Sequence, residues 1–552
     1  MRRAGAVLIL NAGLASPSAA HVWNVPNEVP TIQGALALAA SYGDVITIEP
    51  GTYHEALVLP QKVVTIEGAG AAVTIIDATG LGTSVIRMPL FAGGGGHLTL
   101  RGVTLTGGNG TPLTPSGELR GGAVYAGAGN QVLQDCIIRD NGVAGPGSAG
   151  GGVWAGFDNG QGGFAIGFMT LYNCELAFNA AGGNGGAAAG NITLFDSRVH
   201  DNVAEGHGGA LYGITAAVDC LIEGNHAPVG GGAALNAEGF SHCEFRANHA
   251  DVGGGLWDDD ALGLELGDNR FEDNVAEAFG GGVALLSTGA TSSGITLDRG
   301  LFVGNSAPAG DGAYLDVGTL AVPLGTIEAR SCTFLGDQLL SAGSDDLLVV
   351  RNGIFRGHPQ PIAAAMEQVT YSDVEGGFPG TGNIDEDPKF VDEPGGDFAL
   401  QPGSPCINTG DPSSPLDDDG SVADMGAIAF QGWLDLGGAI AGLGAPHIVG
   451  KGALVRDEIV TLKLTSGPPA KMTTLIVGLE PLGTPFKGGT LWPNPDIVVA
   501  GLPTDIVGSW TLGMVWPAGL PHGWTIVVQV WFPSAFAPFG YAASNGLLGT
   551  VP

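Results

Sequence analysis

Residues 243–260, CEFRANHADVGGGLWDDD, set a cysteine, an arginine, a histidine and two groups of carboxylates within eighteen positions. These residue types support several chemistries. Asp258, Asp259 and Asp260 could hold calcium or a sugar. They could also supply the carboxylate pair of a glycoside hydrolase, if two carboxyls flank a glycosidic bond, a separation that neighbours on one turn do not establish. A solvated acidic turn is the plain alternative. Arg246 could be the base of a polysaccharide lyase, or one member of an exposed ion-pair ladder with Glu223 and Glu272. His226 and His249 form a pair that lacks the third ligand of a zinc site. A second acidic group, Asp411, Asp417, Asp418, Asp419 and Asp424, offers calcium ligands. Asp417, Asp419 and Gly420 fit an EF-hand loop, but Pro415 and Gly426 occupy its first and last ligand positions. An irregular calcium site or a solvated turn then remains.

The elements that position these residues follow from a repeat. Segments closing on Asn141, Asn179, Asn202, Asn225, Asn248, Asn274, Asn305 and Asp337 align, three successive intervals being 23 residues. Three positions earlier runs an apolar column: Ile138, Leu176, Val199, Ile222, Phe245, Phe271, Phe302 and Phe334. Five positions earlier stand Cys136, Cys174, Cys220, Cys243 and Cys332. Columns two residues apart share one face of a strand. A unit this short cannot bury its apolar face alone, so coils must stack into a solenoid, with asparagines bonding from coil to coil. We expect a right-handed parallel β-helix over residues 21–430, with the cysteines as free, buried thiols. Aligning the residues after each glycine cluster puts Asp258 in one column with Tyr212, Leu235, Leu285 and Leu315, where a carboxylate is costly unless solvated, hydrogen-bonded or bound to a cation.

Residues 1–20, MRRAG followed by an apolar run and SPSAA, have the pattern of a secretory signal, so the expected location is outside the cell or on its surface. No run is apolar enough for a transmembrane segment. The chain carries 54 acidic and 20 basic residues, a net charge of -34. From Trp433 onward Lys451, Arg456, Lys463, Lys471 and Lys487 face Asp435, Asp457, Glu458, Glu480, Asp496 and Asp505, a balance of -1. The excess acid therefore belongs to the repeats. It argues against nucleic acid and anionic lipid as their partners, and an anionic polysaccharide would need a bridging cation.

VPNEVPTIQGALALAASYGDVITIEPGTY, at the start of the mature chain, resembles the opening of pectate-lyase-like β-helix proteins. In that resemblance TIQGALALAA is a helix capping the open solenoid. FRAN, FEDN and FVGN with their glycine clusters resemble the FxxN and GGA-type repeats of polymorphic outer membrane proteins. The stretch DPKFVDEPGGDFALQPGSPCINTGD with DDDGSVADMGAIAF is similar to the last coils of secreted bacterial β-helix proteins. The resemblance implies the fold over about residues 22–430. It leaves activity open, because the fold carries lyases, hydrolases, esterases and adhesins. The polygalacturonase-like and pectate-lyase-like catalytic signatures are absent from the sequence.

The repeat stops near residue 430. LVRDEIVTLKLTS, KMTTLIVGL, DIVVAGL, SWTLGMVW and WTIVVQVWF, separated by glycine and proline turns, predict an antiparallel β-sandwich over 431–552, with its tryptophans mainly in the core. Two functions follow as expectations. One is a surface scaffold for adhesion or glycan binding. The other is a polysaccharide lyase or glycoside hydrolase with a groove along the β-helix, walled by the insertion after Asn141 and by the turn at Asp258.

Overall fold

The computed structural model describes residues 20–552, except 40–41, 89–95, 114–115, 157–166, 237–238, 260–263, 287–294, 317–325, 342–346 and 443. The signal segment up to residue 19, Asp260 and the whole of FDNGQGGF in the insertion lie outside the described residues. The chain divides into two compact units, Met1–Trp257 and Asp258–Pro552.

The first unit is a stack of parallel coils. Its first sheet contains, in order, Val22–Val25, Tyr42–Ile48, Val63–Gly68, His97–Arg101, Gly129–Gln134, Gly167–Tyr172, Ile192–Phe195, Ala216–Val218 and Gly239–Ser241. The second includes Ile137–Arg139, Glu175–Ala177, Arg198–His200, Leu221–Glu223 and Glu244–Arg246. The third includes Ile86–Met88, Val124–Ala126, Val153–Ala155, Ala188–Gly190, Leu211–Tyr212, Ala234–Leu235 and Leu256–Asp258. The apolar column of the repeat is the interior: Ile138 pairs with Leu176, Leu176 with Val199, Val199 with Ile222 and Ile222 with Phe245, all fully buried. Each such side chain removed from water stabilises the stack by about 1.5–3 kcal/mol, which is why strands of three residues suffice.

The asparagines do form a ladder. Nδ2 of Asn141, Asn179, Asn202 and Asn225 donates to Oδ1 of the next asparagine at 3.1, 3.0, 3.0 and 3.0 Å, and the backbone N–H of each donates to the same oxygen. The ladder satisfies the polar groups of asparagines that are themselves buried. Beyond it the glycine cluster folds tightly. Gly231 has φ +66° and a Cβ there would lie 2.2 Å from the Ala234 carbonyl; one on Gly232 would lie 2.1 Å from the Gly254 carbonyl. A side chain at either position would force the coils apart. All six cysteines of the chain are buried and free.

A helix, Ile32–Leu38, covers the first coils with Ile32, Ala35 and Leu36 buried. Thr31 caps it by accepting from Gly34 N–H at 3.1 Å, and the Glu55 carboxylate accepts from Ile32 and Gln33 N–H at 2.9 Å each. Lys62 Nζ donates to the Leu36 and Ala37 carbonyls at the opposite end. Acid at the N-terminus and base at the C-terminus complement the helix dipole.

The second unit is itself built of parallel coils as far as Asp373–Val374. Here the interior column is aromatic: Phe271, Phe302, Phe334 and Phe355 stack at 5.0, 4.4 and 5.1 Å with interplanar angles of 6–7°. A shorter ladder runs from Asn274 Nδ2 to Asn305 Oδ1 (2.9 Å) and from Asn305 Nδ2 to Asp337 Oδ2 (2.6 Å). After an antiparallel pair, Phe390–Asp392 with Asp397–Leu400, every strand from Trp433 is antiparallel. One sheet orders Trp433–Gly437, Gly546–Thr550, Thr525–Pro533, Met472–Gly478 and Ile497–Pro503; another orders His447–Lys451, Ile459–Thr465 and Trp510–Val515. Ile448, Leu462 and Leu464 from the second pack with Leu475, Val528, Val530 and Leu547 from the first, which is the core of a two-layer sandwich. Trp510, Trp516 and Trp531 are buried, whereas Trp433, Trp492 and Trp524 are partly exposed.

Candidate functional site

Parallel in-register strands turn alternate side chains outward, so the outer face of the first sheet carries straight columns. One column runs Thr65, Thr99, Val132, Thr170, Thr193 and Ala216. Beside it run Glu67, Arg101, Gln134, Tyr172, Phe195, Val218 and Ser241. On the other flank His97 and Phe168 stand with Asn130, whose N–H donates to His97 Nδ1 at 3.3 Å. Each step along a column is about 4.8 Å, comparable with the length of one hexose ring.

Two rings stand out of this face: Phe168 is 48% and Tyr172 41% exposed. Tyr172 stacks on Phe195 with centroids 5.1 Å apart and planes 10° from parallel. Phe168, Thr170 and Tyr172 are alternate residues of one strand, so the rings flank a threonine on a common surface. Arg101 Nη1 donates to Glu67 Oε1 at 3.0 Å, which neutralises the charges at the start of their column. The result is a field of hydroxyls, amides and two half-exposed rings, edged by the exposed Asp135, Asp196 and Asp219. The repeat alignment, made on the strand that ends at each asparagine and on the one after the glycine cluster, does not reach it. The signal lay one strand earlier, in the alternation of NQVLQ and GFMTLY.

The residues singled out for chemistry are placed differently. Leu235 pairs with Trp257, and Tyr212 with Leu235, so the residue in that column is Trp257 and not Asp258. The segment Ala250–Val252 is one residue shorter than Ala227–Gly230, which shifts everything after it by one. Asp258 is buried on the same side of its strand as Leu256, while Asp259 is exposed. Asp259 lies just beyond that strand, so one carboxylate is enclosed and the other is open to solvent. Arg246 donates to Glu223 Oε2 at 3.0 Å and pairs with Glu244 at 3.3 Å; Arg198 Nε donates to the other Glu223 oxygen at 2.9 Å. Burial works against the charge of Glu223, yet the two arginines together hold its carboxyl below the usual range. Glu272 pairs within its own strand, with Arg270 at 3.0 Å. His226 and His249 stack at 5.0 Å, and burial with the neighbouring imidazole lowers the basicity of His226.

In the last coil the carboxylates come together but turn to the backbone. Both oxygens of Asp424 accept N–H groups, from Asn408 and Phe430 at 2.6 Å. Asp417 accepts from Asp424 N–H at 2.9 Å, Asp419 from Ser421 N–H at 2.8 Å, and Asp411 from Ser413 N–H and Oγ at 2.9 and 2.7 Å. Burial and mutual repulsion push Asp417 up to about 6 and Asp424 to about 7, whereas the Ser413 bonds hold Asp411 down. Asp418 acts at longer range on Arg299, whose direct partner is Asp268. Among the described residues no group of three or more His, Cys, Asp or Glu is arranged to hold a metal ion. These five aspartates, offered as calcium ligands or as a solvated turn, form no such set; Asp411, Asp417, Asp419 and Asp424 accept from the backbone of the turn.

Fold and face together define a parallel β-solenoid scaffold with an antiparallel β-sandwich in its second unit. Comparison with known protein families and with curated proteins finds no match for the chain.

Proposed function

We propose that the protein is a secreted or cell-surface scaffold that binds a neutral glycan on the outer face of the first sheet. The observation that carries this reading is the placement of Phe168 and Tyr172, half-exposed on one strand among threonine, asparagine and glutamine columns. Rings take the apolar faces of sugar units, and the surrounding hydroxyl and amide groups take their hydroxyls. The acidity of the chain favours an uncharged polymer.

The test is affinity electrophoresis of the purified protein in gels containing neutral polysaccharides, with polymer size followed by chromatography. Retardation by at least one polymer, weakened about tenfold in Phe168→Ala/Tyr172→Ala, supports the reading, a tenfold change corresponding to about 1.4 kcal/mol. Equal retardation of parent and variant would refute it. Shortening of the polymer would instead favour the lyase or hydrolase alternative.

A further inference from the structure

Two loop tips of the sandwich meet and expose aromatic rings. Residues 534–540 form a closed loop: Ser534 N–H donates to the Gly540 carbonyl at 2.9 Å, Ala537 N–H to Ser534 at 3.3 Å and Gly540 N–H to Ala537 at 3.2 Å. At its tip Phe536 is 69% and Phe539 77% exposed. Phe539 is held at φ 54°, ψ 19°, a left-handed conformation in which a bulky side chain is an outlier. The strain fixes a large apolar ring in water, and strained residues of this kind concentrate at binding surfaces. The turn Lys487–Gly488 of the hairpin Pro481–Phe486 with Gly489–Pro493 lies against this loop. A Cβ on Gly488 would stand 2.8 Å from the Phe539 ring and 3.1 Å from Pro538. Phe486, also exposed, rests edge-on against buried Trp531 at 5.1 Å, and the Lys487 ammonium lies 5.0 Å over the Tyr541 ring.

Phe486, Lys487, Phe536, Pro538, Phe539 and Tyr541 form a tip with one cation and no carboxylate. Sugar recognition surrounds a ring with hydrogen-bonding side chains, and SAFAPFGY offers only Ser534 and the Tyr541 hydroxyl. A bilayer interface asks for the reverse: apolar rings entering the acyl boundary, with tyrosine and lysine at headgroup level. The balance of -1 from Trp433 onward leaves this region, unlike the acidic repeats, free of strong repulsion from phosphate headgroups.

We infer that the paired tips, Phe486–Gly488 and Phe536–Tyr541, are a lipid-surface anchor that inserts Phe536 and Phe539 into the interface of a bilayer. This site shares no residue with the glycan face and does not depend on it.

The experiment is co-sedimentation of the full chain with phosphatidylcholine vesicles. Sedimentation should fall about tenfold for each ring removed in Phe536→Ser and Phe539→Ser. Phe539→Gly separates binding from folding, because glycine accepts the left-handed backbone: its melting temperature should equal or exceed the parent's while sedimentation drops. Phe168→Ala/Tyr172→Ala should sediment like the parent. Failure of the parent to sediment would overturn the inference, as would unchanged sedimentation of the Phe variants. A parent dimer that the variants dissociate without vesicles, by analytical ultracentrifugation, would assign the tips to a second copy instead. Loss of polysaccharide retardation in the tip variants would assign them to sugar.

Discussion

Asp337 replaces the asparagine that every other aligned repeat carries, and the replacement makes the ladder sensitive to pH. The side chain is 0% exposed. One oxygen accepts from Asn305 Nδ2 at 2.6 Å, and the other is buried with no partner among the described residues. Burial is the main cause that pushes its pKa up to about 7, with repulsion from Asp311 and Asp273 adding to it; His358, 3.7 Å from Asp311, is the nearby base. Because the folded pKa lies above the ordinary value of 3.8, the folded state binds the extra proton between these limits. The associated stability is fully present below about pH 4 and is lost as pH rises to about 7. A shift of roughly three units corresponds to on the order of 4 kcal/mol above pH 7. Asp337→Asn should therefore be close to neutral at pH 4, where protonated aspartic acid and asparagine are nearly isosteric. At pH 8 it should stabilise by about 2–4 kcal/mol. Urea unfolding of parent and variant across this range reads the difference, in which Asp417 and Asp424 cancel because both proteins keep them. An identical offset at pH 4 and pH 8, or destabilisation at pH 8, would refute the reasoning.

Within the first unit, Asn225→Ala removes the acceptor of Asn202 N–H and Nδ2 and the donor to Asn248, leaving buried groups unsatisfied. It should cost on the order of 2–4 kcal/mol by urea unfolding, far more than an exposed substitution. Arg246→Ala breaks the partly exposed ion pairs to Glu223 and Glu244 and should cost within about 1 kcal/mol, less at high salt. It should leave polysaccharide retardation unchanged, because Arg246 lies on the second sheet rather than the glycan face.

What the sequence made legible was whatever repeats at fixed spacing: the interior column, the asparagine ladder and the inward cysteines each follow from stacking short units. Phe355 escaped because its segment, RNGIFRGH, closes on glycine and histidine in place of asparagine. Asp258 was misaligned because a single residue of loop length between Ala250 and Val252 is invisible to counting but reverses which side of a strand a side chain faces. The outer aromatic field was hidden for a different reason. Interior columns are constrained in residue type by packing, whereas an outer face needs only alternation, so Phe168 and Tyr172 carry little pattern from coil to coil, and the threonines beside them repeat only in part. The strain at Phe539 was not readable at all, since SAFAPFGY does not declare a left-handed phenylalanine. The acidic turn was legible as a cluster, but hydrogen bonds to Asn408 and Phe430 decide its role, and these come from chain segments brought near only by folding.

The most direct test of the central claim is hydroxyl-radical footprinting of the protein with and without a retained neutral polysaccharide, read by mass spectrometry. Bound polymer should shield Phe168 and Tyr172 several-fold, with Phe536 and Phe539, more open still in the free protein, oxidised at an unchanged rate. Unaltered oxidation of Phe168 and Tyr172 under saturating polymer would contradict the assignment of the outer face as the glycan site.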